Sequence, residues 1–304
     1  MRTRHALIAA LALSGAITTP ALAHRQWLLP STTTLAGTSE FVTVDAAVSN
    51  DLFYADHVPI APDQIKVRAP DGSAGSIENA ATGRYRSTFD VKIDKPGTWA
   101  IGTERSGVMG TFKVGTETWR VGGRRPGGPG AGTQGAGGPQ GAPGMGPMGG
   151  PGGQPPVRSV ATVADIPANA TDIKLTEIQG RNVIFVTADA PTTTVFKPSG
   201  KGLEFDPITH PDELVADEEA QFRFLVDGKP AAGIAVTVVP GGKKYREAEE
   251  AQELKTGPDG VLHVKWPVAG MYWLNATYTD AKPSDPKATE RRLSFTTTLE
   301  VVAP

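Results

Sequence analysis

Apolar and polar residues alternate in short runs along most of the chain. Residues 40–46 read E-F-V-T-V-D-A, with Phe41, Val42 and Val44 apolar and Thr43 and Asp45 polar. Residues 64–68 put Ile65 and Val67 on one face, and residues 85–93 carry Phe89, Val91 and Ile93 at a spacing of two. Pro96-Gly97 marks a turn into Thr98-Trp99-Ala100-Ile101. Alternation of period two, broken by Gly, Pro and Asp, predicts half-buried β-strands. Residues 173–178 and 182–188 read the same way and complete a first sheet structure. The last hundred residues add strands at 221–226, 234–239, 261–266, 271–278 and 293–302, with turns at Asp227-Gly228-Lys229-Pro230 and Pro258-Asp259-Gly260. No apolar stripe of helical period runs for three turns. The pattern predicts an all-β protein with two immunoglobulin-like or transthyretin-like sandwiches, at residues 24–200 and 201–304.

One stretch breaks the pattern. Residues 122–156 hold 16 Gly and 8 Pro in 35 residues. Such a segment buries too little apolar surface to offset the entropy of ordering it. Glycines at 132, 135, 138, 141 and 144 give a brief triplet period that Pro147 interrupts, which is too short for a collagen helix. The tract is expected to be a disordered insertion within the first sandwich.

The start of the chain has a different logic. Arg2 and Arg4 precede an apolar run from Ala6 to Ile17, followed by Ala21-Leu22-Ala23. A basic n-region, a short apolar core and a small-residue site predict a cleaved secretory signal at residues 1–23. The mature chain is then expected to begin at His24 in the periplasm. No run is long enough to span a bilayer as a helix.

Composition narrows the chemistry. With 30 Lys+Arg against 32 Asp+Glu and a net charge of −2, the chain lacks the basic excess of a nucleic-acid binder. It has no cysteine, which excludes disulfides, thiolate metal sites and Cys nucleophiles. There is no G-x-S-x-G, H-E-x-x-H, P-loop or dinucleotide fingerprint, so the reading is of a binding module and not an enzyme.

Several motifs occur in an order seen in a known family. His24-Arg25-Gln26-Trp27-Leu28-Leu29-Pro30-Ser31 resembles the H-x-x-W-L-x-P-S opening of the DUF4198 family. Val48 to Phe53 followed by Asp56-His57 also fits, as does Gly200 to Phe205 running into Thr209-His210-Pro211. Asp227 to Pro230 and Gly270 to Leu274 agree as well. The family is similar to soluble periplasmic components of nickel and cobalt uptake systems. The resemblance implies a β-sandwich binding protein, without an identified activity and without the identity of a metal.

Candidate ligands are histidines. Cleavage after Ala23 would give His24 both a free α-amine and an imidazole, a chelating pair for a divalent transition metal. In model peptides these groups titrate near 8 and 6.5, so both are available as neutral donors around pH 7.5. A second imidazole would close a T-shaped set of three nitrogens, which suits Cu(II) or Ni(II). His57, in a loop after Phe53-Tyr54, and His210, in a turn into the second sandwich, are the candidates, with Asp51 and Asp56 near His57. His263 alternates with Leu262 and Val264 and is expected to face solvent. The run Lys243-Lys244-Tyr245-Arg246 reads as a solvated hairpin end, its field cancelled by Glu247, Glu249, Glu250 and Glu253. The five tryptophans read as core anchors.

The function expected is capture of nickel or cobalt first, copper second, and handover to a permease. The alternative is an envelope interaction protein that binds no metal. A copper enzyme with an N-terminal histidine brace ranks third.

Overall fold

The computed structural model describes residues 24–122 and 158–304. The expected signal segment and residues 123–156 of the Gly/Pro tract lie outside the described residues. Twenty strands follow one another in chain order, with short 3-10 turns between some of them and no α-helix among the described residues. The first ten are β1 Arg25–Pro30, β2 Thr34–Leu35, β3 Glu40–Ser49, β4 Val58–Pro59, β5 Lys66–Arg68, β6 Ala74–Gly75, β7 Glu78–Thr82, β8 Ser87–Ile93, β9 Gly97–Val114 and β10 Glu117–Val121. After the tract come β11 Ser159–Val160, β12 Thr171–Ala188, β13 Leu203–Pro207, β14 Glu219–Val226 and β15 Lys229–Pro230. The last are β16 Ala235–Pro240, β17 Gln252–Lys255, β18 Val261–Lys265, β19 Gly270–Asp280 and β20 Glu290–Val301.

Alternation sets the faces. In β8, Ser87, Phe89, Val91 and Ile93 are buried while Lys92 is exposed. In β14, Phe222 and Phe224 are fully buried on one side. The two runs expected at 173–178 and 182–188 are one strand, β12. Gly180 does not end it, because its backbone pairs with both neighbours, Arg105 of β9 and Ser294 of β20.

The strands form three sheets. The first has the order β1-β3-β8-β7, with β4 on β3. The second holds eleven strands along the path β11-β10-β9-β12-β20-β19-β16-β17, with β2, β5 and β6 attached. The third joins β13, β14, β15 and β18.

Side-chain parity shows how they stack. On β12, Ile184 and Val186 enter one core with Leu28, Val42, Phe89 and Ile93. Their neighbours Val183 and Phe185 enter another, with Phe205, Phe222, Phe224 and Phe295. Successive residues of a strand point to opposite faces, so the large sheet is the middle layer. The first sheet covers one face and the third sheet the other. The two sandwiches therefore share a continuous sheet, joined by the parallel pairing of β12 with β20 from Thr176↔Glu290 to Asn182↔Thr296.

Candidate functional site

His24 immediately precedes β1, and His57 immediately precedes β4. Both strands flank the same end of β3, β1 pairing Arg25↔Ser49 and β4 pairing Val48↔Val58 on the opposite edge. The two histidine backbones thus lie about two strand spacings apart, roughly 9–10 Å. Their exposed side chains reach toward each other across the end of β3. The rings stack with centroids 3.8 Å apart and planes 10° from parallel.

The loop before His57 is firmly held. Asp56 accepts hydrogen bonds from the Asn50 backbone N–H (2.9 Å) and the Asn50 amide (3.1 Å). The hydrogen bonds from the Asn50 backbone and side chain hold the Asp56 carboxyl below its ordinary range, against the opposing effect of burial. Phe53 adopts a left-handed backbone at φ 62°, unusual for a bulky residue. Its ring packs edge-on to Trp27, centroids 5.8 Å apart, and lies against Gly241. A Cβ at Gly241 would come within 3.0 Å of that ring. Trp27 Nε1 donates to Ser49 Oγ at 2.6 Å, and Ser49 Oγ to the Asp51 carbonyl at 2.6 Å.

The second sandwich supplies the rest of the support. Lys243 Nζ pairs with Asp51 Oδ1 at 2.9 Å, and Lys244 Nζ lies 4.7 Å from the Tyr54 ring centroid. Arg25, next to His24, pairs with Glu249 at 2.6 Å and sits over Trp273. Trp273 Nε1 donates to the Gln26 carbonyl at 3.0 Å. Trp27, Ala47, Leu52, Val239 and Trp273 form a small core beneath this junction. The 243–250 run, expected to be a solvated hairpin end, is a tether for the histidine loop. Its cationic block followed by an acidic one was visible in the sequence, but the partners are some 190–220 positions away and carry no local signal.

Asp51 and Asp56, near His57 in the sequence, bind Lys243 and Asn50. The stacked rings are also closer than joint ligation allows. Two imidazoles bound to one ion at about 2.0–2.1 Å have centroids about 4.5 Å apart when adjacent and about 6.4 Å when opposite. Binding a metal here requires the rings to part and turn, which their exposure permits. Among the described residues no three His, Asp or Glu side chains are grouped to hold a metal.

His210 lies elsewhere. Its neighbours are at the Thr98 end of β9, whereas Gln26, beside His24, contacts Arg105 seven residues along that strand. Thr98 and Arg105 are themselves roughly 23 Å apart along the strand. His210 is 8% exposed. Its Nδ1 accepts from the Asp212 N–H at 3.1 Å, so Nε2 carries the proton and faces Thr98 Oγ1 at 3.1 Å and the Thr192 carbonyl at 3.4 Å. Both nitrogens are engaged. His263 faces solvent and contacts Glu219 at 2.8 Å.

Burial lowers the pKa of His210, against the raising effects of its Thr192 bond and of Asp212 and Glu213. The unfolded chain binds a proton near pH 6.5 that the folded chain resists. This contribution to stability is complete above about pH 6.5 and is lost as pH falls toward the depressed value. The slope cannot exceed about 1.4 kcal/mol per pH unit for one proton. Burial raises the pKa of neighbouring Asp212, which makes an opposing contribution as pH rises from about 4. We expect urea-unfolding free energy to decline between pH 7 and 5.5, and His210→Gln to flatten that decline.

A comparison with curated proteins finds no match. Among solved structures, the chain is similar to the D0-D1 domain of intimin at 11% identity and a TM-score of 0.18, covering 90% of this chain and 97% of that one. The family model for DUF4198, a domain of unknown function, matches residues 21–280. The chain belongs to the DUF4198 family.

Proposed function

We propose that this protein captures a divalent transition metal at the His24/His57 pair and passes it to a membrane permease. Nickel or cobalt is the first choice and copper the second. The observation that carries the reading is the juxtaposition of two exposed imidazoles, one of them on the residue that cleavage after Ala23 would make the N-terminus. The donor set is the His24 α-amine and imidazole with the His57 imidazole. Three neutral nitrogens suit late first-row ions better than oxygen-seeking Mg²⁺ or Ca²⁺. Exposure of both rings favours capture and release over permanent retention. The proposed setting is the periplasm.

The test is calorimetric titration of metal-free protein with Ni(II), Co(II) and Cu(II) in one buffer. Protein beginning at His24 is compared with a form carrying one extra residue before it, and with His24→Ala and His57→Ala. The extension leaves the ring but removes the amine from the chelate. We expect it to weaken binding by roughly tenfold to several hundredfold, about 1.4–3.5 kcal/mol. His24→Ala weakens binding further, and His57→Ala also reduces it. Equal affinities in all four forms would reject the site and favour an envelope interaction protein.

A further inference from the structure

We propose that a second site, a cationic cleft between the two sandwiches, binds a small organic polyanion bearing two or three carboxylate or phosphate groups. The first and third sheets cover different parts of the middle sheet, on opposite faces. Beside the edge of the third sheet, the middle sheet keeps an open shelf built from β5, β9 and β12. Register places the lining in rows across it. Arg68 pairs with Ala100, and Ala100 with Phe185; Lys66 pairs with Gly102, and Gly102 with Val183; Glu104 pairs with Arg181. The small residues of β9 form the floor. Val183 and Phe185 make an apolar wall.

Three adjoining cavities of about 450, 300 and 90 Å³ occupy this shelf. The first two share Lys66 and Glu104, and the third shares Arg68 with the first and Arg181 with the second. The two larger ones fall in the range of small-molecule sites. Five cations turn their side chains to the group, Lys66, Arg68, Arg181, Lys197 and Lys201, against two acids, Glu104 and Glu204; Arg105, also at its rim, reaches Gln26 on the opposite face. This excess stands out in a chain of net charge −2.

The two acids offset only part of it, and Glu204 does so through Arg181 at 3.9 Å. Glu104 bridges Lys66 at 3.2 Å and Arg181 at 3.6 Å. Glu204 is buried and accepts from the Ser199 backbone and hydroxyl and the Gly200 backbone. Arg181 is further held by the Leu203 carbonyl at 2.7 Å, which fixes a guanidinium at the junction of the cavities. Among the described residues, Arg68, Lys197 and Lys201 have no ion pair or side-chain hydrogen bond. Unpaired like charges around one cavity repel each other, and a bound polyanion relieves that repulsion. A monoanion engages only part of the set. Carboxylate and phosphate share the required chemistry.

The experiment titrates the metal-free chain beginning at His24 with citrate, pyrophosphate and acetate by calorimetry at low salt. We expect saturable binding of one equivalent of citrate or pyrophosphate, at least tenfold tighter than acetate. The tighter of the two identifies the carboxylate or phosphate source. A Lys66→Ala/Arg68→Ala double variant should weaken binding at least tenfold with an unchanged thermal midpoint, and Lys201→Ala should weaken it independently. His24→Ala should leave it intact, which separates this site from the metal site. Absence of saturable binding by both polyanions, or binding by the double variant and by Lys201→Ala as tight as that of the unaltered chain, would overturn the proposal. Binding only to a long anionic polymer such as heparin would overturn it too.

Discussion

Phe205→Ala is expected to lower the unfolding free energy by about 3–5 kcal/mol, the range for removing a large aromatic from a packed core. Phe205 is 5% exposed and sits where the third sheet meets the middle one. Its ring centroid lies 5.1 Å from those of Phe222 and Phe295, 5.6 Å from Phe224 and 5.9 Å from Phe185. These residues come from β14, β20 and β12, so collapse around the vacated space would require two sheets to move together. Domains of this kind have about 5–15 kcal/mol in total, so the loss is a large fraction. Phe205→Leu keeps most of the volume and should cost much less, under about 1.5 kcal/mol if the core repacks. Urea unfolding of both variants checks this. A loss below 1 kcal/mol for the alanine variant would show that the aromatic cluster is not the centre of this core.

Arg291→Leu should be destabilising by about 3 kcal/mol, through a different mechanism. The Arg291 side chain is 7% exposed and binds two carboxylates at once. It reaches Asp280 through Nε at 3.1 Å and Nη2 at 2.7 Å, and Asp227 through Nη1 at 3.1 Å and Nη2 at 2.9 Å. Asp280 belongs to β19 and Asp227 to the turn between β14 and β15, so the guanidinium ties the middle sheet to the third. Removing one partner of a buried pair costs about 3–5 kcal/mol; the lower end applies because Asp227 remains half in water. Arg291→Lys keeps the charge but loses the two-pronged geometry, and should fall between wild type and leucine. Arg291 hydrogen bonds hold the Asp227 and Asp280 carboxyls below their ordinary range. Their contribution is therefore present above about pH 4 and lost as pH falls through the depressed values. The leucine variant should show a weaker decline of stability in that acid window, measured by denaturant unfolding from pH 5 to 3.

The candidate metal site was half legible. His24 is marked by its place after the small-residue motif, and His57 by its loop. His24 precedes β1 and His57 precedes β4, and both strands flank the same end of β3, so their meeting follows from topology. His210 looked equivalent in the sequence, a histidine in a turn beside a proline. Its fate depends on Thr98, Thr192 and the Asp212 N–H, which take up both ring nitrogens. Likewise, Lys243 and Glu249 read as a mixed-charge run, and only the docking of the second sandwich shows that they hold the loop of His57 and the strand of His24.

The amino-acid sequence by itself determined the β character, the strand faces and most turns. These depend on period-two alternation and on Gly, Pro and Asp at the breaks, all local properties. It also marked out the Gly/Pro tract and the histidines worth examining. Tertiary structure decided that the two sandwiches share one sheet, because the parallel pairing of β12 with β20 joins residues more than a hundred positions apart. Alternation says which face of a strand is apolar but not which strand lies beside it. The cationic shelf has the same origin. Lys66 and Arg68 lie far in sequence from Arg181 and Lys201, and only the offset of three sheets brings their charges around one cleft.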